Sequence, residues 1–158
     1  MPGLYFEEFE VGAVIEHGTR RTVTETDNVL FSTMTLNLAP LHLDAHYSAE
    51  SIYGQRLVNS LYTAGLIGGM IVYDLTMGTT LGNLGYTKFD FPNPVFHGDT
   101  LRAETTILDK RESVRLHGCL NSWPDSNSSN HMPGIAGLLS LQGQIGSINI
   151  GSLGHSLT

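Results

Sequence analysis

The chain has 158 residues, the length of about one domain at roughly 100–200 residues per domain, so a core can form without covalent staples. Apolar residues make up 41% and charged residues only 15%, against about 25% charged in a typical soluble domain, which excludes wholesale disorder. A net charge of −7 with eight cations excludes a nucleic-acid-binding basic stripe, and a single cysteine, Cys119, excludes an intrachain disulfide and a multi-cysteine zinc site.

The opening MPGLYFEEFEVG is acidic and lacks a basic start ahead of an apolar run, so it does not read as a signal peptide, and a cytoplasmic location is the expectation. Phe9-Glu10-Val11-Gly12 reads as a turn, ahead of a strand through Val14 and Ile15 and on through Thr19 to Val23. Thr24 with Asp27 three residues on resembles a capping box, and the apolar Val29, Leu30, Phe31 and Met34 behind it predict a short helix over about 25–36.

The densest polar cluster is Asn37-Leu38-Ala39-Pro40-Leu41-His42-Leu43-Asp44-Ala45-His46. His42, Asp44 and His46 alternate, so an extended backbone would put them on one face as metal ligands, but no fourth ligand is evident and no metal is expected. Two readings of His42 remain at this point: a satisfied structural histidine, or a general base with a neighbouring polar side chain orienting water.

Residues 57–75 are the most apolar stretch. Asn59, Ser60, Thr63 and Asp74 interrupt it and only Arg56 flanks it with positive charge, so a buried helix is the expectation rather than a membrane span. Gly65, Gly68 and Gly69 are poor helix formers and predict that something packs close, most simply a sheet wrapped around the helix. Two extended candidates follow, Thr79–Phe91 and the alternating Asp99–Asp109, separated by Pro92-Asn93-Pro94 and the His97-Gly98-Asp99 bend. A strand, a buried helix and antiparallel strands make an α+β architecture.

Twenty-two of the 23 charges precede residue 116, leaving only Asp125 beyond it. The expected organisation is a domain over 1–115 and an atypical low-charge segment over 116–158, which must improvise its final strands from Gly134 to Leu157 or leave a sheet edge open. Asn127-Ser128-Ser129 matches a glycosylation sequon, which means little without secretion.

The run FSTMTLNLAPLH (31–42), the YFEEFEVG opening, the TVTETDNVLFSTMT helix, the PLHLD loop and FPNPVFHGDTL (91–101) together resemble the MaoC-like (R)-specific enoyl-CoA hydratases of the hot-dog fold over about residues 4–113. The opening and the TETDN helix also resemble the mesaconyl- and itaconyl-CoA hydratase-like branch. The resemblance implies a helix wrapped by an antiparallel sheet, a homodimer or higher oligomer, an acyl-CoA thioester substrate, and no cofactor. It also implies that an aspartate and a histidine five positions later activate water, which adds across the double bond beside the thioester. His42 matches the histidine. The aspartate position is Asn37, whose amide orients water but accepts no proton. The thioester oxygen is implied to rest on a backbone N–H at the start of the central helix, where the family's His-Gly pair falls on Asn59-Ser60, and Arg56 is the candidate cation for a substrate carboxylate. A non-catalytic acyl-CoA-binding or dimer-partner protein of the same fold is the alternative that Asn37 raises.

Overall fold

The computed structural model describes residues 3–80, 82–83, 86 and 88–110. Two strands, β1 (Val14–Thr22) and β2 (Thr100–Thr106), form a two-stranded sheet. Gly12 N–H donates to Ile107 C=O at 2.7 Å at one end and Val23 N–H to Asp99 C=O at 2.8 Å at the other, so the strands run antiparallel. In β2 the side chains of Leu101, Ala103 and Thr105 are buried while Arg102 and Glu104 are exposed, the period of two that the sequence alternation predicts.

The helices are α1 (Glu25–Met34), α2 (Pro40–Leu43), α3 (Ala45–Ala49) and α4 (Ser60–Ile71), the last continued by a π-helical turn over Val72–Thr76. The capping box at α1 forms as predicted: Asp27 N–H donates to Thr24 Oγ1 at 3.2 Å and Thr24 N–H donates to Asp27 Oδ2 at 2.9 Å. That backbone donor, ahead of the Thr24 hydroxyl and the Arg21 guanidinium, holds the Asp27 carboxyl below the usual carboxylate range. At the other end of α1, Asn37 N–H reaches Ser32 C=O at 2.9 Å and Leu36 N–H reaches Thr33 C=O at 3.1 Å. This is a Schellman closure, with Leu36 at φ 59° in the left-handed place usually given to glycine.

The described residues fall into two compact units. In one, drawn from 3–16, 71–89 and 104–110, Gly3 N–H and Leu4 N–H donate to Met77 and Leu75 C=O at 2.8 Å each. A Cβ on Gly3 would lie 2.6 Å from Leu75 O, which is why this position needs a glycine. In the other, drawn from 17–70 and 90–103, Val23, Val58, Val95 and Leu101 form a core with Tyr62 and Leu66 packed against it. The candidate site lies wholly in this second unit.

Three expectations change. The 79–91 stretch contains no strand among its described residues; Thr79 and Thr80 N–H groups bond back to Thr76 C=O instead, at 3.2 and 3.3 Å. The helix at 60–71 is not buried on nearly all sides: Leu61 is exposed, and Gly65 and Gly69 lie on the same open stripe, with nothing described within 4 Å of an added Cβ. Residues 40–43 and 45–49 form two short helices on either side of Asp44, so the extended run that would align His42, Asp44 and His46 is not formed, and the described residues contain no group of three His, Cys, Asp or Glu side chains placed to hold a metal. No described helix is long and apolar enough to cross a membrane. Cys119, the sequon and the 116–158 segment lie outside the described residues.

Candidate active site

One asparagine organises the site. Asn28, on the inner face of α1, is fully buried. Its Oδ1 accepts the Asn59 N–H at 2.8 Å, which fixes the orientation of the amide. The Nδ2 group then faces three acceptors: His42 C=O and Leu57 C=O at 3.2 Å each and His97 Nε2 at 3.0 Å. One side chain thereby connects α1, the α2 segment, the chain before α4 and the bend at 96–99.

His42 owes its position to this hub. Pro40 at the first position of α2 presets the helical turn, and Asn37 Oδ1 accepts Ala39 N–H at 3.4 Å just before it. The turn aims the His42 ring at Leu57, with Nδ1 2.8 Å from the Leu57 C=O. A carbonyl only accepts, so Nδ1 carries the proton and Nε2 carries the lone pair. The Leu57 oxygen therefore receives both the His42 ring and the Asn28 amide. Among the described residues no hydrogen bond joins Asn37 to His42; the structure commits the Asn37 oxygen to Ala39 and leaves its Nδ2 without a described partner.

At the start of α4, Asn59 is 2% exposed and acts as the helix cap: its Oδ1 accepts Leu61 N–H at 3.0 Å, and its Nδ2 donates to Ser32 Oγ at 3.3 Å. The Ser60 N–H, one of the first-turn donors that a helix cannot satisfy internally, has no acceptor among the described residues. Ser60 borders a cleft of ≈ 150 Å³ whose walls include Leu57, Thr63, Tyr53, Pro94 and Val95. The positive end of the helix and an open N–H suit an oxygen that gains negative charge.

Arg56 is paired: its Nη2 donates to Glu25 Oε1, and its side chain is only 17% exposed. The guanidinium holds the Glu25 carboxyl below the usual carboxylate range. His97 is held in place by its own turn, in which Asp99 Oδ2 accepts Phe96 N–H at 2.9 Å and Gly98 adopts φ 95°. Facing an amide that can only donate, His97 Nε2 is an acceptor. Burial first, then the Arg56 charge, pushes its pKa below 6.5, with Glu25 opposing weakly.

The structure thus brings His42, Asn59, Ser60 and Arg56 into one unit around the Asn28 hub. Sequence reasoning missed Asn28 and His97 as site residues. Both stand inside motifs that carried the family resemblance, TETDN and VFHGD, but neither periodicity nor spacing indicates that they meet 69 positions apart.

A family profile described as the MaoC like domain matches residues 7–118. The chain is 31% identical over 120 residues to a 3-hydroxybutyryl-CoA dehydratase of Methylorubrum extorquens, covering 72% of this chain and 71% of that protein. It is 30% identical over 111 residues to a mesaconyl-CoA hydratase of Cereibacter sphaeroides, covering 70% of this chain but 32% of that protein, so it spans about a third of that relative. Among solved structures it resembles the unliganded R-hydratase PhaJ1 of Pseudomonas aeruginosa with a TM-score of 0.57 at 29% identity, covering 69% of this chain and 68% of that one. Its α+β architecture is that of the hot-dog fold. The chain belongs to the MaoC-like domain family.

Proposed function

We propose that the protein is a hydratase or dehydratase of short enoyl-CoA thioesters, including branched or dicarboxylic ones. The observation that carries the reading is the His42 ring, whose Nδ1–H is anchored on Leu57 C=O so that Nε2 is the bare nitrogen. Names of relatives point the same way: 3-hydroxybutyryl-CoA dehydratase, mesaconyl-CoA hydratase and (R)-specific enoyl-CoA hydratase. In the hydration direction, His42 Nε2 takes a proton from water as the water oxygen bonds to C3 of the acyl chain. The π pair moves onto the thioester oxygen, which the Ser60 N–H stabilises, and the proton returns from His42 to C2 as the carbonyl re-forms. Asn37 orients the water through its uncommitted amide group. Asn59 sets the helix start, and Arg56, held by Glu25, contributes positive potential rather than a direct clasp on a carboxylate.

We place the enzyme in the cytoplasm, with a CoA thioester as its substrate and a second copy of the chain as its partner. The open stripe of α4 at Leu61, Gly65 and Gly69 supports a homodimer. The non-catalytic alternative is not favoured, because these relatives are named for hydration and dehydration.

The test is turnover of crotonyl-CoA and mesaconyl-CoA by the purified protein, followed through loss of the conjugated enoyl absorbance. His42→Ala is expected to lower kcat by about 10²–10⁴-fold, the usual contribution of a general base. No turnover of either ester by the wild type, or full activity in His42→Ala, refutes the assignment. A large gain by Asn37→Asp from a near-inactive start would favour the non-catalytic reading.

A further inference from the structure

Thr63 lies on the first turn of α4, three residues after Ser60, and both line the same cleft. The residue is 1% exposed, and its Oγ1 is buried with no hydrogen-bond partner among the described residues. A threonine inside a helix ordinarily returns its hydroxyl to a carbonyl three or four residues back. Thr33 does so in α1, donating to Val29 C=O at 2.8 Å. Thr63 does not, although its backbone N–H makes the regular bond to Asn59 C=O at 3.2 Å. A buried hydroxyl that forgoes a partner available in its own helix calls for an explanation, and its place in the cleft wall beside an open backbone donor supplies one.

We propose that the Thr63 hydroxyl is a specificity-determining group that hydrogen-bonds an oxygen on C3 or C4 of the acyl chain; this rests on the hydratase reading above. Three residues of helix advance about 4.5 Å along the axis, which sets the separation between the Ser60 N–H and the Thr63 side chain. With the thioester oxygen at the Ser60 N–H, an extended acyl chain carries a C3 or C4 oxygen about 4–6 Å further along, which matches that spacing. Two sources have this chemistry: the 3-hydroxyl that hydration creates, and the terminal carboxylate of a four-carbon dicarboxylic acyl group. A neutral donor suits either, and Thr63 takes the recognition role that Arg56, engaged with Glu25, does not fill.

The experiment compares kcat/KM of the full chain for crotonyl-CoA, which ends in a methyl group, and mesaconyl-CoA, which ends in a carboxylate, in Thr63→Val and Thr63→Ser. Thr63→Val keeps shape and β-branching and removes only the hydroxyl. A loss of tenfold or more on mesaconyl-CoA alone supports the inference with the carboxylate as its source. The same loss on both esters supports it with the 3-hydroxyl as source, provided Thr63→Ser restores the rate and the Tm of Thr63→Val is no lower than wild type, since loss of an unpartnered buried hydroxyl does not weaken the fold. Rates within twofold of wild type on both esters overturn it, as does a loss that tracks a fall in Tm and is not rescued by serine. Wild-type protein that turns over neither ester overturns the hydratase reading together with this one, whereas an indifferent Thr63→Val in an active enzyme overturns this one alone.

Discussion

Replacing Asn28 with alanine removes the one side chain that joins four segments of the site, and the structure sets the size of the effect. The Asn59 N–H, in a residue 2% exposed, loses its acceptor. A buried donor left unmatched costs about 1–3 kcal/mol. The half-buried His42 C=O loses its amide donor, worth about 1 kcal/mol, while Leu57 C=O keeps the His42 ring and loses less. Adding the void left by the amide gives a loss of about 3–5 kcal/mol, a large share of the roughly 5–15 kcal/mol that holds a domain together. Urea unfolding at neutral pH measures this loss, and turnover below the transition measures the displacement of His42 and the α4 start. Asn28→Asp separates the two roles, because a carboxylate still accepts from Asn59 but cannot donate to His42, Leu57 or His97. Buried at that position it has a folded pKa above the unfolded value of about 3.9, so its penalty is present at neutral pH and is relieved as pH falls through the raised value. A loss below about 1 kcal/mol in Asn28→Ala with unchanged kcat, or an Asn28→Asp variant as stable as wild type at neutral pH, would refute the hub as described.

Two further outcomes follow from the same network. His97 has a folded pKa below 6.5, so the unfolded chain takes up its proton first, and the stability this residue contributes is present above pH 6.5 and lost as pH falls through the depressed value. His97→Gln keeps an acceptor for Asn28 and should flatten unfolding free energy between neutral pH and pH 5; an unchanged slope would exclude His97 as its source. Thr24→Ala removes the cap of α1 and should cost about 1 kcal/mol, within the usual range of roughly 0.5–2 for such caps, measured by thermal unfolding at neutral pH; no change in Tm would show that Asp27 and Arg21 hold the helix start without it.

Local chemistry was legible wherever it was written within a few residues. The Thr24 and Asp27 box starts α1, Pro92-Asn93-Pro94 and His97-Gly98-Asp99 break the chain ahead of β2, and alternation from Leu101 to Thr105 places β2 with its inner face. The family resemblance rested on the order of such local motifs, and the comparisons bear it out. Periodicity misled where an element's character depended on its neighbours. Thr79–Phe91 has strand-like composition, but β pairing needs an adjacent edge, none of its described residues is in a strand, and the N–H groups of Thr79 and Thr80 satisfy themselves on Thr76. The glycines of α4 suggested close packing, but Gly65 and Gly69 lie on the open stripe of that helix, and only Gly68 is half-buried.

By itself the sequence determined the start of α1, the bends, the fold class and the presence of His42 five positions after Asn37, because caps, prolines and motif spacing are properties of contiguous residues. Only the tertiary structure decided which nitrogen of His42 is bare, that Asn59 is consumed as a cap while Ser60 N–H is left open, that Arg56 is held by Glu25, and that Asn28 and His97 meet. Each of those outcomes depends on a hydrogen-bond partner brought from another element, and a side chain's protonation and direction are set by the partner it meets in space.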